Sequence, residues 1–268
     1  MPDTRKTTKP NQSGEKLLKI IEFIADQGAP VRVLDIARGM DSSSSTILRF
    51  LRTLEDCGYV GQDPATLRYY LTFKVCGVAD KVIASTDIRD IVHPYLRDLA
   101  RMMGETVCLA VEDNLSVAYI DVVEGRFSII RNMRRIGTVA PMHCTGMGKI
   151  LLFEADEEKL DRLVEEKGLE RFTKNTITTR QDLEREIAEA RARGWAYDNE
   201  ECEIGARCIA FPIYNYTGRI VAAFSVTGLV ARMSDSFLDS RIDMLRQTAA
   251  DISRELGYTE APAPDAKE

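Results

Sequence analysis

The chain changes hydrophobic rhythm along its length, and the change divides it. In the first quarter the rhythm is helical. Leu17, Ile20, Ile21, Ile24 and Ala25 form one stripe of a helix predicted over residues 15–26, with Ser13 as N-cap and Gln27-Gly28-Ala29-Pro30 as its stop. A short extended piece over 31–33 and a short helix over 34–40 follow. Ile47, Phe50, Leu51 and Leu54 line one face of a third helix that starts among the serines at 42–45, runs to residue 56 and stops at Gly58. Two strands are predicted next, over 59–62 and 68–73, turned by Asp63-Pro64-Ala65-Thr66. Helix, short strand, helix, turn, helix, hairpin is the order of a winged helix-turn-helix, with the hairpin as the wing.

Residues 75–86 read as a helix carrying Val75, Val78, Ala79, Val82 and Ile83, predicted to link this domain to the next. Asp87 caps a further helix over 88–103, closed by Gly104. Beyond it, strands mix with helices. Strands are predicted over 106–112 and 116–123 around Asp113-Asn114, and a strand candidate lies at 127–134. Helices are predicted over 146–155, 157–166 and 180–193. Strands over 206–214 and 219–227 flank the turn Asn215-Tyr216-Thr217-Gly218, and a last helix covers 236–256. Hairpins with helices packed on them indicate an α+β fold with a mostly antiparallel sheet. The predicted division is a winged helix-turn-helix over 13–75, a linker helix over 76–87 and a second domain over 88–258.

Composition supports this division. In 268 residues, 44% are hydrophobic and 29% charged, enough to bury two cores and unlike a disordered chain. The strongest apolar run, 220–226, is far short of the ~20 residues of a membrane span, and the polar N-terminus is no secretory signal. A soluble, cytoplasmic protein with no membrane partner is expected. Six cysteines show no C-x-x-C spacing, and His93 and His143 are the only histidines, so neither a metal nor a cofactor is expected. No catalytic residue is expected either. Cys144 and His143 are adjacent, which on a strand turns them to opposite faces, and the Gly-Met-Gly-Lys run lacks the spacing of a phosphate loop. Residues 1–75 carry a net charge of +2 and the remainder −8. That argues against a general polyanion binder and leaves room for one local nucleic-acid surface.

The third helix is where that surface is expected. Ser43, Ser44, Ser45 and Thr46 crowd its start, where free amides attract phosphate and short hydroxyls add donors. Arg49 and Arg52 lie off the Ile47/Leu51/Leu54 face and can reach a guanine edge or a phosphate. Arg68, in the hairpin, is placed for backbone contact from the wing.

Three stretches carry a resemblance. They are SSSSTILRFLRTLEDCGYV with RYYLTFKV, PMHCTGMGKILL, and GWAYDNEECEIGARCIAFPIYNYTGRIVAAFSVTG. Over residues 13–258 the chain resembles the IclR family of bacterial transcription regulators. The resemblance implies a GAF-like second domain that binds an effector and oligomerises, operator DNA as partner, and homodimers or dimers of dimers. It implies control of a catabolic operon, by repression or by activation, in response to a small carboxylate, such as a sugar acid or an aromatic acid. Carried over by motif, Gly146 and Met147 offer backbone amides to the carboxylate, Asp198 is a polar wall, and Cys208, Ser225 and Thr227 face the same cavity from strands. Ile129 and Asn132 match wall positions, and the polar Asn132 departs from an apolar pattern, which suggests a hydroxylated ligand. Lys149 is expected in a structural ion pair.

Overall fold

The computed structural model describes residues 11–127 and 136–259. It divides into two units, one running through residue 86 and one beginning at residue 87.

The first unit contains α1 (Gln12–Asp26), α2 (Val33–Gly39), α3 (Ser44–Asp56), β1 (Val60–Gln62), β2 (Tyr69–Leu71) and α4 (Lys74–Ser85). Its core is built from the predicted stripes: Ile20 and Ile24 of α1, Ile36 of α2, and Ile47, Leu51 and Leu54 of α3, closed by Val60 and Tyr69 of the wing. Val31 bridges to Tyr69 and so fastens the extended piece between α1 and α2 to the hairpin. In the wing turn the Asp63 carboxylate accepts from the amides of Ala65 and Thr66 at 2.9 and 2.7 Å. The cap of α1 differs from expectation. Asn11, not Ser13, accepts the first amides, from Ser13 and Gly14 at 3.0 and 3.2 Å, and the helix gains residues at its start. α4 buries none of its residues, and Val78, Val82 and Ile83 are exposed along it.

The second unit contains α5 (Ile88–Met103), β3 (Thr106–Asp113), β4 (Ser116–Val123), β5 (Val139–Ala140), α6 (Gly146–Leu151), α7 (Glu157–Lys167) and α8 (Arg180–Arg193). It continues through β6 (Ala196–Asn199), β7 (Ala206–Tyr214), β8 (Ile220–Leu229), α9 (Asp235–Asp239) and α10 (Ile242–Glu255). The strands form one antiparallel sheet in the order β5-β4-β3-β8-β7-β6. The α+β class with a mostly antiparallel sheet is therefore the architecture found.

Alternation along the strands gives the sheet two unlike faces. Val107, Leu109, Ile209, Phe211, Phe224 and Val226 point one way and pack with Leu96, Leu99, Leu245 and Ile252 of α5 and α10. Cys108, Ala110, Ala196, Ala210 and Ala223 point the other way, with Met147 and Ile150 of α6 and Ile187 and Ala190 of α8. The small side chains on this second face let α6 come close.

Two predicted elements differ, and a third is not described. The helix predicted over 146–155 stops at Leu151, where Leu152 turns the chain. The helix predicted over 236–256 is broken: Ser240 and Arg241 interrupt it, and the Arg241 guanidinium donates to the Phe237 carbonyl at 3.1 Å. The strand candidate at 127–134 falls outside the described residues save Phe127, which sits in a turn. β5 and β6, too short for their alternation to stand out, are additional.

Leu51 is fully buried between helices and wing. Leu51→Ala should lower the stability of the first unit by about 2–5 kcal/mol, read by chemical denaturation.

Candidate functional sites

In the first unit, α3 presents its polar edge to solvent. Ser43 is the N-cap: its Oγ accepts from the Thr46 amide at 3.3 Å and hydrogen-bonds Thr46 Oγ1 at 2.8 Å and Ser45 Oγ at 3.1 Å. Ser45, Arg49 and Arg52 are exposed, and Ser44 and Thr46 are half-buried. The Arg49 guanidinium lies over the Phe50 ring at 5.7 Å, so its stem rests on the helix while the charge stays outside. Arg68 Nη1 donates to the Pro30 carbonyl at 3.4 Å, which holds it at the base of the wing.

An open cleft of about 470 Å³ between α2 and α3 is lined by Ala37, Arg38, Asp41 and Ser42 to Ser44. Asp41 makes the sharp turn there, at φ 43°. Arg38 is a cation beside the serines that the sequence reading passes over. The available signal was its place off the buried Ile36/Ala37 stripe of α2.

In the second unit, the effector candidates converge on the small-residue face of the sheet. Asp198 pairs with Cys208, Cys208 with Thr227, and Ala210 with Ser225, in register across β6, β7 and β8. The start of α6 lies directly on them. A Cβ added at Gly146 would stand 3.0 Å from Cys208 Sγ and 3.2 Å from Ala210 Cβ. One added at Gly148 would stand 2.3 Å from the Met142 carbonyl oxygen. Thr145 caps α6, accepting from the Gly148 amide at 3.2 Å and donating to the Pro141 carbonyl at 2.8 Å. The amides of Gly146 and Met147 occupy the first positions of the helix, which have no intrahelical acceptor.

Ser225 Oγ and Thr227 Oγ1 are buried and find no hydrogen-bond partner among the described residues. A buried hydroxyl left unpaired costs about 1–3 kcal/mol. Asp198 Oδ1 accepts from the amides of Glu201 and Cys202 at 2.8 and 3.3 Å and shapes the turn after β6. Ile129 and Asn132 lie outside the described residues. The clefts found in this unit, of about 620, 190 and 340 Å³, are lined by other residues, because α6 is packed down on the floor that the candidates share.

Beneath α6 runs an ion pair. Lys149, fully buried, donates to Glu201 Oε1 at 2.6 Å and to the Tyr197 carbonyl at 2.9 Å; Glu186 lies 3.8 Å from it and is itself held by Arg193 at 2.8 Å. Burial pushes the Glu201 carboxyl up to about 7, against the pull of Lys149. Glu201 is the carboxylate that closes the ion pair expected at Lys149. His143 and Cys144 do not pair: His143 Nε2–H donates to the Glu170 carbonyl at 3.0 Å, and burial depresses its pKa. Among the described residues no cluster of His, Cys, Asp or Glu suits a metal ion, and no helix is long and apolar enough to cross a membrane.

A helix with exposed hydroxyls and arginines beside a short wing, carried with a separate α+β unit, defines a class: the DNA-binding transcription regulators of winged helix-turn-helix type. Residues 13–64 match the IclR helix-turn-helix domain and residues 80–254 the bacterial transcriptional regulator IclR C-terminal domain. The chain is 35% identical to the HTH-type transcriptional regulator XynR of Escherichia coli K12, over 92% of this chain and 98% of that protein. It is 31% identical to the HTH-type transcriptional repressor AllR of the same strain, over 94% and 92%. The crystal structure of Thermotoga maritima IclR, 34% identical, superposes with a TM-score of 0.61 over 92% of this chain and 99% of that one. The chain belongs to the IclR family, and it is a transcription regulator rather than an enzyme.

Two outcomes follow from the packing. Gly148→Ala forces a methyl group onto backbone and should cost about 1–3 kcal/mol in thermal unfolding. Glu201, whose ordinary value is 4.5, holds its proton more tightly folded than unfolded. Its contribution to stability is therefore full below that value, is lost as pH rises through about 7, and is constant above. The unfolding free energy of the wild type relative to Glu201→Gln should decline across that window.

Proposed function

We propose that the protein is a ligand-responsive repressor of a catabolic operon. In this reading a small carboxylate metabolite, a sugar acid or an aromatic acid, binds between the start of α6 and the sheet floor. The observation that carries the reading is the pair of buried hydroxyls, Ser225 Oγ and Thr227 Oγ1, without partners in the described protein. Placed two apart on one strand, they share a face with Cys208 and Asp198, beneath the amides of Gly146 and Met147. The amides take the carboxylate, and the hydroxyls take the remaining polar atoms. Ile129 and Asn132 complete the wall in this reading. Because α6 rests on the floor, a ligand seats itself by lifting the first turn of α6, so binding and movement are one event.

Ser43, Ser44, Ser45, Thr46, Arg49, Arg52 and Arg68 are the DNA-binding residues in this reading. The exposure of Ser45, Arg49 and Arg52 supports it. Ser43 contributes as the cap that positions α3. The exposed Val78, Val82 and Ile83 of α4 support a homodimer or dimer of dimers, two reading heads facing a pseudo-palindromic operator. α4 joins the heads to the effector units and transmits the change. It can do so only if the acid binds the two arrangements unequally. A cytoplasmic location follows from this role.

The test is a thermal-shift panel of sugar acids, keto acids and aromatic acids, with operator binding measured for each stabilising acid. At least one acid should raise the unfolding temperature and shift the operator-binding midpoint. No shift across the panel overturns the reading. Independently, Arg49→Ala should weaken operator binding by about 1–3 kcal/mol while leaving random duplex less affected. Equal affinity of variant and wild type for the operator would remove Arg49 from the interface.

A further inference from the structure

The tip of the wing presents uncharged side chains to solvent. Pro64, Ala65, Thr66 and Leu67 are all exposed, Leu67 by 64%. Leu67 also sits in the left-handed region, at φ 57°, where a side chain crowds the backbone and glycine is the natural choice. The other leucine in that region, Leu115, is buried in the core of the second unit. Leu67 gains no such burial. Tyr70, the other large apolar side chain exposed on the hairpin, lies over Gly61. The tip is nevertheless fixed. The Leu67 amide donates to the Asp63 carbonyl at 2.8 Å, the Asp63 amide to the Arg68 carbonyl at 2.9 Å, and Gln62 Nε2 to the Leu67 carbonyl at 3.1 Å. A bulky apolar side chain is thus held out into water, in a strained conformation, by a turn that fixes it.

We propose that Leu67 is an apolar wedge for the minor groove of the DNA that α3 reads, seated against deoxyribose and base edges. The edge of α3 carries hydroxyls and cations suited to phosphates and polar base edges. The wing tip is unlike it. The Asp63 carboxylate is turned onto the amides of Ala65 and Thr66, and Arg68 is held to the Pro30 carbonyl, so no cation leads the tip. An uncharged tip gains little from a phosphate and fits the apolar surface of a duplex. In the minor groove that surface is the sugar walls, about 6 Å apart, too narrow for a helix and wide enough for one side chain. Such a contact strengthens binding without releasing counterions. The inference rests on the placing of α3 and the wing against DNA, which Arg49→Ala tests separately.

The strain has a use in this role. A glycine tip would have to be ordered on binding, whereas the turn from Asp63 to Arg68 already holds Leu67 in place. Two other occupants of the leucine are separable by experiment. A second copy of the chain covering Leu67 would tie it to assembly. A thymine methyl in the major groove would tie it to a group that uracil lacks.

The test uses the full chain and a duplex that the wild type selects from a random-sequence pool. Leu67→Gly removes the side chain and suits the left-handed backbone, so the variant should unfold at a temperature no lower than the wild type. Its affinity for the selected duplex should fall about tenfold or more. The slope of log affinity against log salt should stay unchanged, since no phosphate contact is lost. The same loss should appear on a duplex with uracil in place of thymine. Hydroxyl-radical cleavage should show minor-groove protection in the wild-type complex that the variant complex lacks, and sedimentation should give both proteins the same assembly. Equal affinity of variant and wild type overturns the proposal. So does a loss that comes with a lower unfolding temperature, a changed assembly or a changed salt slope, a loss confined to the thymine duplex, or minor-groove cleavage identical in the two complexes.

Discussion

The close seating of α6 on the sheet governs the second unit. A short helix, only Gly146–Leu151, reaches the strands because its first and third residues have no side chain and because the strands beneath offer Ala196, Cys208 and Ala210. Any larger residue at Gly146 or Gly148 meets sulfur, methyl or backbone at sub-contact distance. The same closeness brings backbone amides to a floor that already carries the Ser225 and Thr227 hydroxyls. It also brings Lys149 under the helix, where the charge is neutralised by Glu201 and shared with the Tyr197 carbonyl. Removing one member of such a pair leaves a buried charge uncompensated, so the pair and the helix position depend on each other.

The two faces of the sheet divide the work. One face carries the large apolar residues and the long helices α5 and α10, and it supplies stability. The other carries alanine, cysteine, serine, threonine and aspartate, and it accepts a looser arrangement of partly unsatisfied polar atoms. Unsatisfied buried groups are a standing cost to the free protein, and they lower the relative cost of any state that pairs them. In the proposed reading this imbalance is what an effector would use, because a ligand moves an equilibrium only by its unequal affinity for the two states.

Much of the fold was legible in the sequence because its signals were local. The stripe Ile47, Phe50, Leu51 and Leu54 gave α3, Asp87 and Gly104 bracketed α5, and Gly194 closed α8. Short elements were harder. β5 and β6 span too few residues for alternation to register, and the break at Ser240 and Arg241 comes with bonds from both side chains to the Phe237 carbonyl that no periodicity encodes. For the site, the spacing of Ser225 and Thr227 showed a shared face, and family motifs suggested which strand positions to compare. An ion pair at Lys149 was legible, but which carboxylate closes it was not, because Glu201 reaches Lys149 from a turn folding back over α6. Arg38 was missed for a different reason: the cleft it lines exists only once α2 and α3 are packed.

The most direct measurement compares Ser225→Ala/Thr227→Val with the wild type, with and without the acid that best stabilises the protein. Removing two unpaired buried hydroxyls should leave the unliganded protein at least as stable as the wild type in thermal unfolding. Calorimetric titration should then show the acid binding about tenfold more weakly or worse. A variant that loses stability yet binds the acid with wild-type affinity would show that these hydroxyls serve the packing and not a ligand, and the central claim would be wrong.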